Sequence, residues 1–405
     1  MSNEAFPAQA LAPDLRMARN WRARLRIAML VVAICLPVPF GIAGIRLIEF
    51  PENRPLAAFP MSSIKSLDVN GTVKGIDAWI ADHFTFRPVL IVAWNYFRFL
   101  LGDSARSDLL IGSDGWLYFN TSTDWLDEIG VQPAGLPSIT SWRQAIVERR
   151  DWVESRGSRF LFVIAPEKET IYPEHLPPAL RKRGMDTKAT RLIDALRGTG
   201  VDVLYLRDAL LARKAQGAQV HFRLDMHWTQ AGALAAAEAI ADHIRKILPA
   251  VDKREFTLRW SKPQIRWPEI YRGTAHLDQA TLLGLPFLKE PDAIVAPVDG
   301  WKATKKVEFR DGHLLYEFMR TDAPSLPTLV VYGDSYIFPL MRPLAEYFRR
   351  AVFINPWETL TGECSLFPPQ FIRSEHPDIV VNLRFEKGLA DPVRNPQEVS
   401  KKPCP

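Results

Sequence analysis

Five short apolar runs, each rich in residues that favour β-strands, alternate with helical stretches in this chain of 405 residues. The runs are 160–165, 201–206, 328–332, 351–354 and 378–381. Strands that alternate with helices predict a mainly parallel sheet covered by helices on both faces, a doubly wound three-layer α/β fold. The apolar fraction of 47% is enough for the large core that such a fold needs.

The run at 328–332 ends abruptly at Gly333, Asp334 and Ser335. A buried strand that ends in a tight glycine turn before a helix presents the serine at the carboxyl edge of a parallel sheet. Residues 337–350 have apolar side chains at helical spacing, so the Ser335 backbone N–H would lie near a helix N-terminus and could bind an oxyanion. The alternative is a surface turn, because glycine, aspartate and serine are common turn residues.

Asp225 and His227 precede a small-residue helix that is predicted to run to Ile247. Two residues apart, they would project to the same side of an extended segment. Asp225 could then hold the imidazole in the required tautomer while His227 takes a proton from Ser335. A lone histidine before a helix is more often structural, but the combination with a strand-end serine predicts a catalytic triad.

Several motifs resemble those of the SGNH hydrolase-like domain of AlgX/AlgJ-type O-acetyltransferases, which modify bacterial exopolysaccharides such as alginate. They lie at 112–118, 165–168, 172–174, 225–228 and 333–336, and the resemblance covers most of the chain beyond residue 50. It implies an SGNH-hydrolase-like α/β/α domain in circularly permuted order, with the Asp-His pair before the serine. Met226 replaces the usual threonine and Tyr336 the common phenylalanine, which bears on substrate preference more than on chemistry.

Loops that follow parallel strands gather at one edge of a sheet, so further polar residues are expected near Ser335. SGNH enzymes recruit an Asn or Gly from the two strand ends after the nucleophile, which implies that Asn355 or Asn382 completes the oxyanion hole. Lys168 and Arg384 could bind an anionic sugar. For each of these four residues, a loop-capping or exposed polar role is the alternative.

The N-terminal region predicts a membrane anchor. Residues 1–26 hold five arginines against two acidic residues, which gives +3 of the formal net charge of +5. Residues 27–45 are almost uninterruptedly apolar, long enough at about 1.5 Å per residue to cross roughly 30 Å of hydrocarbon. The positive-inside rule keeps the arginine-rich tail in the cytoplasm and places the body outside, in the periplasm of a two-membrane bacterium.

Two alternatives to the anchor are a cleaved signal peptide, although no small-x-small site stands out, and a buried core helix. Pro37 and Pro39 would interrupt a spanning helix. The predicted organisation is a cytoplasmic tail at 1–26, an anchor at 27–48, a linker and helical cover at 49–110, and the SGNH-like domain at 111–405. The aromatic side chains of the cover could instead contact the membrane interface.

Within these segments, the helical pattern of 73–101 predicts a break at Arg87-Pro88. Asp114-Gly115 predicts a type I′ turn in a hairpin at 111–119. Residues after the helix that ends at Ile247 are expected to be irregular until the strand at 328.

The charge beyond residue 26 is nearly balanced, which argues against a nucleic-acid partner. The eight histidines show no spacing typical of zinc, and no glycine-rich phosphate loop is present, so neither a metal nor a cofactor is expected. Of the three cysteines, Cys364 and Cys404 lie outside the span and are expected to form a disulfide in an oxidising compartment.

These observations lead to an expected function. Acetyl transfer to a polysaccharide hydroxyl would pass through a covalent ester on Ser335, with His227 as base and then acid. The resemblance implies that a membrane-bound O-acyltransferase supplies the acetyl group at the inner membrane. An extracytoplasmic esterase or deacetylase with the same triad, and a non-catalytic polysaccharide-binding module, remain as alternatives.

Overall fold

The computed structural model describes most of the chain beyond residue 54 and a short piece before it. The described residues are 21, 23–32, 55–103, 109–119, 136–181, 186–260, 295–297, 300–310, 313–359, 367–390 and 393. The chain divides into two compact units, 1–100 and 101–405.

Between residues 55 and 100, the first unit has the helices α1 (Met61–Lys65), α2 (Val69–His83) and α3 (Arg87–Leu100). The Asp68 carboxylate caps α2 by accepting a hydrogen bond of 2.9 Å from the Gly71 N–H. A break is present close to the predicted one at Arg87-Pro88, but it lies at residues 84–86, because α2 ends at His83 and α3 begins at Arg87 with Pro88 in its first turn, where proline is tolerated.

The predicted membrane anchor at 27–48 lies largely outside the described residues. Residues 23–32 are helical. Within the part of the chain that the structure describes, no helix combines the length and apolar character needed to cross a bilayer.

The second unit is built on a seven-stranded mixed sheet. Its strands are β3 (Arg159–Ala165), β4 (Val203–Tyr205), β7 (Thr304–Arg310), β8 (His313–Met319), β9 (Thr328–Gly333), β10 (Arg350–Thr359) and β11 (Ile379–Phe385). Their order across the sheet is β4-β3-β11-β9-β10-β8-β7. The five runs predicted as strands are β3, β4, β9, β10 and β11, and neighbours among them pair in parallel. The predicted α/β fold is therefore confirmed.

Strands β7 and β8 extend the sheet in antiparallel pairing, and β8 pairs with β10. The expectation that this part of the chain is irregular was wrong. Strand β7 is the edge of the sheet and carries Lys305, Lys306, Glu308 and Arg310, so its charges resemble those of a loop. Charged side chains are a common feature of exposed edge strands, where they oppose pairing with other chains.

Helices cover both faces of the sheet. They are α4 (Leu136–Glu154), α5 (Lys168–Ile171), α6 (Lys188–Leu196), α7 (Arg207–Ala215), α8 (Gln230–Ile247), α9 (Ile337–Ala345) and α10 (Pro369–Glu375). One face buries Val331, Phe353 and Val381 against α8 and α9. The other face buries alternate residues of the same strands, such as Val330 and Val380, against α4, α6 and α10. We call these the α8 face and the α4 face.

Two small two-stranded antiparallel sheets also belong to the unit, β1 (Leu109–Ile111) with β2 (Leu117–Phe119) and β5 (Leu258–Trp260) with β6 (Val295–Pro297). The predicted type I′ turn is confirmed in the first of them. Asp114 has φ 54° and ψ 26°, Gly115 has φ 74°, and the Trp116 N–H donates to the Ser113 carbonyl at 3.1 Å.

Candidate active site

Ser335 lies where β9 turns into α9 at the carboxyl edge of the sheet. Gly333 is required at the strand end, because a Cβ there would approach the Leu383 carbonyl oxygen to 2.6 Å. The Asp334 carboxylate fixes the turn, since it accepts hydrogen bonds from the Tyr336 N–H at 3.2 Å and from the Phe385 N–H at 2.7 Å. The Ser335 backbone therefore immediately precedes the first turn of α9, as the sequence predicted.

Asp225 and His227 lie in a bend rather than in an extended segment, so the geometric reason given for their pairing was wrong. An antiparallel bridge between His221 and Trp228 closes the bend. Asp225 Oδ1 accepts a hydrogen bond of 2.8 Å from the His227 backbone N–H. This local bond, of the kind that aspartate forms in turns, brings the two side chains together.

The three predicted catalytic side chains form one hydrogen-bonded line. His227 Nε2 lies 2.7 Å from Ser335 Oγ, and His227 Nδ1 lies 2.6 Å from Asp225 Oδ1. Asp225 and His227 are buried, whereas Ser335 is partly exposed. We call Asp225, His227 and Ser335 the catalytic cluster.

The ionisation of the catalytic cluster matches this arrangement. Burial raises the pKa of Asp225, but the His227 charge and the hydrogen bonds from His227 outweigh it and hold that pKa below its ordinary value. A carboxylate that stays ionised favours the imidazole tautomer with its proton on Nδ1. His227 Nε2 is then free to accept the Ser335 proton.

Tyr336, noted in the sequence only as a departure from the family pattern, has a defined place beside the catalytic cluster. Its buried ring lies 4.9 Å from the His227 imidazole and stacks on Phe385 with 4.4 Å between ring centroids. The phenol donates a hydrogen bond of 2.5 Å to the Met226 carbonyl. Burial, followed by nearby carboxylates, holds the pKa of Tyr336 well above its ordinary value, so the hydroxyl keeps the proton that it donates.

Asn355 follows the last regularly paired residue beside the nucleophile strand. Ile354 pairs with Tyr332, so Asn355 comes next at the level of Gly333 on the neighbouring strand. The alternation of side chains along a strand predicts that Asn355 lies on the α8 face, as Phe353 does. It is 2% exposed.

Asn382 and Arg384 are not brought to this side. The sequence placed them in a loop after the last strand, but β11 continues to Phe385 and includes both residues. They share the α4 face with Val380, and Asn382 Oδ1 accepts a hydrogen bond of 3.2 Å from Arg149 Nη1. The error arose from strand length, because polar residues in the second half of β11 resemble the start of a loop.

A second buried polar group therefore lies behind the nucleophile strand. We call Arg149, Tyr332, Asn382 and Arg384 the arginine cluster. Arg149 is 3% exposed and Arg384 is 7% exposed, and the carboxylate of Asp334 lies 3.9 Å from Arg384 Nη1. Burial lowers the pKa of Arg149, and the charge of Arg384 lowers it further.

Lys168 lies near the catalytic cluster, but not in a position to bind a sugar. Its side chain is 2% exposed. The ammonium donates to the backbone carbonyls of Phe222 at 3.2 Å, Arg223 at 3.2 Å and Asp225 at 2.7 Å.

No cluster of three or more His, Cys, Asp or Glu side chains suited to a metal ion occurs among the described residues. The predicted disulfide cannot be placed, since Cys364 and Cys404 both lie outside the described ranges.

Comparisons with known proteins support the resemblance inferred from the motifs. Residues 109–285 match the family model described as "SGNH hydrolase-like domain, acetyltransferase AlgX", a stretch that includes Asp225 and His227 and ends before Ser335. The chain is 25% identical over 359 residues to "Probable alginate O-acetylase AlgJ" of Pseudomonas syringae pv. tomato, covering 82% of this chain and 84% of that protein.

A shorter alignment, 29% identical over 162 residues, relates 38% of the chain to 32% of "Alginate biosynthesis protein AlgX" of Pseudomonas putida. Among solved structures, PatB1 of Bacillus cereus, determined with a sulfonyl adduct, superposes with a TM-score of 0.52 at 14% identity. That superposition covers 70% of this chain and 96% of PatB1. At this identity the likeness shows a common fold alone.

Proposed function

We propose that this protein is an O-acetyltransferase that acetylates an exopolysaccharide in the periplasm through an acetyl ester on Ser335. The observation that carries the proposal is the hydrogen-bonded line from Asp225 through His227 to Ser335 at the carboxyl edge of the sheet. The similarity to alginate O-acetylases supports acetyl as the group and a polysaccharide as the acceptor.

In the first half-reaction, Ser335 Oγ attacks the carbonyl carbon of an acetyl donor while His227 Nε2 takes the hydroxyl proton. Asp225 accepts the hydrogen bond from Nδ1–H and stabilises the imidazolium that forms. The bond between the acetyl carbon and the donor oxygen then breaks, and His227 returns the proton to the leaving oxygen. The product is acetyl-Ser335 with a neutral imidazole.

In the second half-reaction, a sugar hydroxyl takes the place of the donor. His227 Nε2 removes its proton as its oxygen attacks the acetyl carbon, and Ser335 Oγ leaves and recovers that proton. The same atoms therefore act twice with their proton roles reversed. With water in place of the sugar, the same sequence is hydrolysis, so exclusion of water separates a transferase from an esterase.

Each half-reaction places negative charge on the acetyl oxygen, which needs hydrogen-bond donors. We assign this role to the Ser335 backbone N–H, which immediately precedes α9, and to Asn355 on the adjacent strand. Preorganised donors of this kind are worth about 10² to 10³ in rate.

The acetyl donor follows from the compartment. With residues 1–26 in the cytoplasm and 27–48 as an anchor, the catalytic domain would lie outside the inner membrane, where acetyl-CoA is absent. A membrane-bound O-acyltransferase would then deliver the acetyl group. Reporter fusions after Pro60 test this topology, which activity of a cytoplasm-only reporter would contradict.

The proposed reaction is tested with the full-length protein, an activated acetyl ester as donor, and a polysaccharide oligomer as acceptor. Acceptor-dependent acceleration together with an acetylated oligomer, detected by mass spectrometry, is expected. Acetate release that ignores the oligomer would favour the esterase. Ser335→Ala should abolish turnover, and an unchanged rate in that variant would favour the non-catalytic binding module.

A further inference from the structure

The motif residues outside the catalytic cluster converge on the backbone segment that carries Asp225. The Tyr118 hydroxyl donates to the Tyr172 carbonyl at 2.7 Å, and the Tyr172 hydroxyl accepts from the Val220 N–H at 2.9 Å. The Leu117 N–H of strand β2 donates to the Arg223 carbonyl at 3.0 Å. The hairpin motif and the motif around Tyr172 therefore both contact the approach to the catalytic bend.

Lys168, the last residue of the motif at 165–168, contacts the same segment most extensively. An ammonium group has three N–H donors. The carbonyl oxygens of Phe222, Arg223 and Asp225 all lie within 3.2 Å of Lys168 Nζ. We call these three contacts the lysine clamp.

Aromatic side chains of the hairpin motif surround the lysine clamp. The ammonium lies 5.2 Å from the ring centroid of Tyr118 and 5.8 Å from that of Trp116. A buried ammonium is costly unless carbonyl oxygens and π-faces replace its water. The buried ammonium is therefore stabilised by the backbone carbonyls of the catalytic bend and by these two rings.

A second buried lysine shows what a structural ion pair in this region looks like. Lys188 is also 2% exposed, and its ammonium lies 3.6 Å from a carboxylate oxygen of Glu167. Lys188 thus pairs with a side-chain charge, whereas Lys168 fixes the orientation of three peptide groups. The two buried ammonium groups therefore lie against different acceptors, a side-chain carboxylate at Lys188 and three backbone carbonyls at Lys168.

We propose that Lys168 is a positioning residue, whose ammonium orients the 222–225 backbone so that the Asp225 carboxylate meets His227 Nδ1. The Asp225 peptide is held at its carbonyl by Lys168, while its side chain accepts both the backbone and the ring N–H of His227. Rotation of that peptide would move the carboxylate and, through it, the imidazole. The inference rests on the proposed function, because His227 matters for turnover only if Ser335 is a nucleophile.

The test compares Lys168→Met with Lys188→Met in the full-length protein. Both substitutions remove a buried ammonium of equal exposure, so both are expected to lower stability. The first readout is covalent labelling of Ser335 by a sulfonyl fluoride, followed by intact-mass spectrometry. Ser335 Oγ attacks the sulfur, fluoride leaves, and His227 takes the hydroxyl proton, so the rate reports triad alignment without an acetyl donor.

Lys168→Met should slow the labelling of Ser335 about 10²-fold, the effect expected when a catalytic group is misplaced by about 1 Å. The saturation constant for the reagent should remain unchanged. Lys188→Met should label at close to the parent rate. Equal rates in the two variants would overturn the positioning role.

The second readout is the strongly downfield proton of His227 Nδ1–H in the NMR spectrum. It should be present in the parent, in Lys188→Met and in Ser335→Ala, but lost or shifted in Lys168→Met. Its persistence unchanged in folded Lys168→Met would also overturn the proposal, even if Ser335 proved unreactive in the parent protein. Lack of labelling in the parent would instead count against the proposed function.

If Lys168→Met does not fold, Lys168→Gln replaces it. The glutamine amide can still donate to one or two of the carbonyls without the charge. An intermediate labelling rate and a weakened downfield proton are expected. A parent-like rate and signal would contradict the lysine clamp.

Discussion

The catalytic cluster and the arginine cluster are two polar groups on opposite sides of the same strands, and they differ in how their charges are balanced. In the catalytic cluster, a carboxylate, an imidazole and a hydroxyl form one hydrogen-bonded line with distances of 2.6 and 2.7 Å. In the arginine cluster, two guanidinium groups lie near each other, and the Nε atoms of Arg149 and Arg384 have no hydrogen-bond partner among the described residues.

The difference shows what each residue type can do when it is buried. Histidine can become neutral when burial disfavours its charge, whereas arginine stays charged and must find acceptors. The α8 face therefore contains groups that can exchange protons, and the α4 face contains fixed charge. Of the two clusters, the catalytic cluster is the one whose side chains can exchange protons, although both are polar groups next to the nucleophile strand.

The largest expected effect comes from breaking the charge balance of the catalytic cluster. Asp225→Asn replaces an acceptor with an amide that can donate to His227 Nδ1, so the ring proton moves to Nε2. Protonated Nε2 can no longer accept the hydroxyl proton of Ser335. Turnover of an acetyl ester should fall roughly 10⁴-fold, as tautomer loss does in other triads. Steady-state kinetics with a surrogate ester measures this. A loss of less than tenfold would show that Asp225 does not control the tautomer.

The next prediction compares Asn355 and Asn382, the two asparagines that the sequence analysis named as candidate oxyanion donors. Asn355→Ala should lower kcat about 10²-fold, the loss that follows removal of one oxyanion donor. KM should change little, because the donor acts on charge that develops during the reaction. The same assay on Asn382→Leu, on the opposite face, should show the parent kcat for folded protein. An equal loss in both variants would contradict the assignment to faces.

A third substitution breaks the arginine cluster. Asn382→Leu keeps a similar shape but removes the oxygen that accepts from Arg149 Nη1 at 3.2 Å. A hydrogen bond to a buried charged group is worth about 1.5–3 kcal/mol, so the free energy of unfolding should fall by about 2 kcal/mol. Urea unfolding at constant m-value measures the change.

Arg149→Met in the same background provides the control for that prediction. It removes the buried charge whose acceptor was lost, so the second substitution should restore part of the stability. Simple addition of two losses would show that Asn382 and Arg149 are not coupled.

The smallest effect concerns His221, the buried imidazole beside the catalytic bend. Burial, followed by the charge of Lys168, lowers its pKa from 6.5 to about 3. Between these two pH values the unfolded chain binds a proton that the folded chain does not. The contribution of His221 to the free energy of unfolding is therefore complete above pH 6.5 and is lost as the pH falls from 6.5 towards 3. The slope is about 1.4 kcal/mol per pH unit.

His221→Leu should remove this contribution to the slope, measured as the difference in urea unfolding between pH 7 and pH 5. A slope unaffected by His221→Leu would show that the buried imidazole does not remain neutral.

The local sequence pattern was sufficient to predict several features of this molecule. The five parallel strands were predicted because apolar β-branched runs, ended by turn residues, have few other stable solutions. The turn at Asp114-Gly115 was predicted because few residue pairs accept two positive φ angles. Ser335, His227 and Asp225 were predicted together because their residue types and positions relative to a strand and a helix restrict their chemistry.

Other features depended on distant parts of the chain. Strand β7 was missed because its charges suit an edge that only the complete sheet defines. Lys168 was expected to bind a sugar, but it is buried because three carbonyl groups about 55 residues away replace its water.

The sequence by itself determined which residues could form a triad and which strand would present the nucleophile, because those properties depend on neighbouring residues. Only the tertiary structure decided which asparagine shares a face with the nucleophile. Side chains alternate along a strand, so a shift of one residue in the register moves a side chain to the opposite face. Asn382 is two residues after Val380 and therefore lies on the same face of β11. Helix α4 packs against that face, so Asn382 bonds to Arg149 rather than lying beside Ser335.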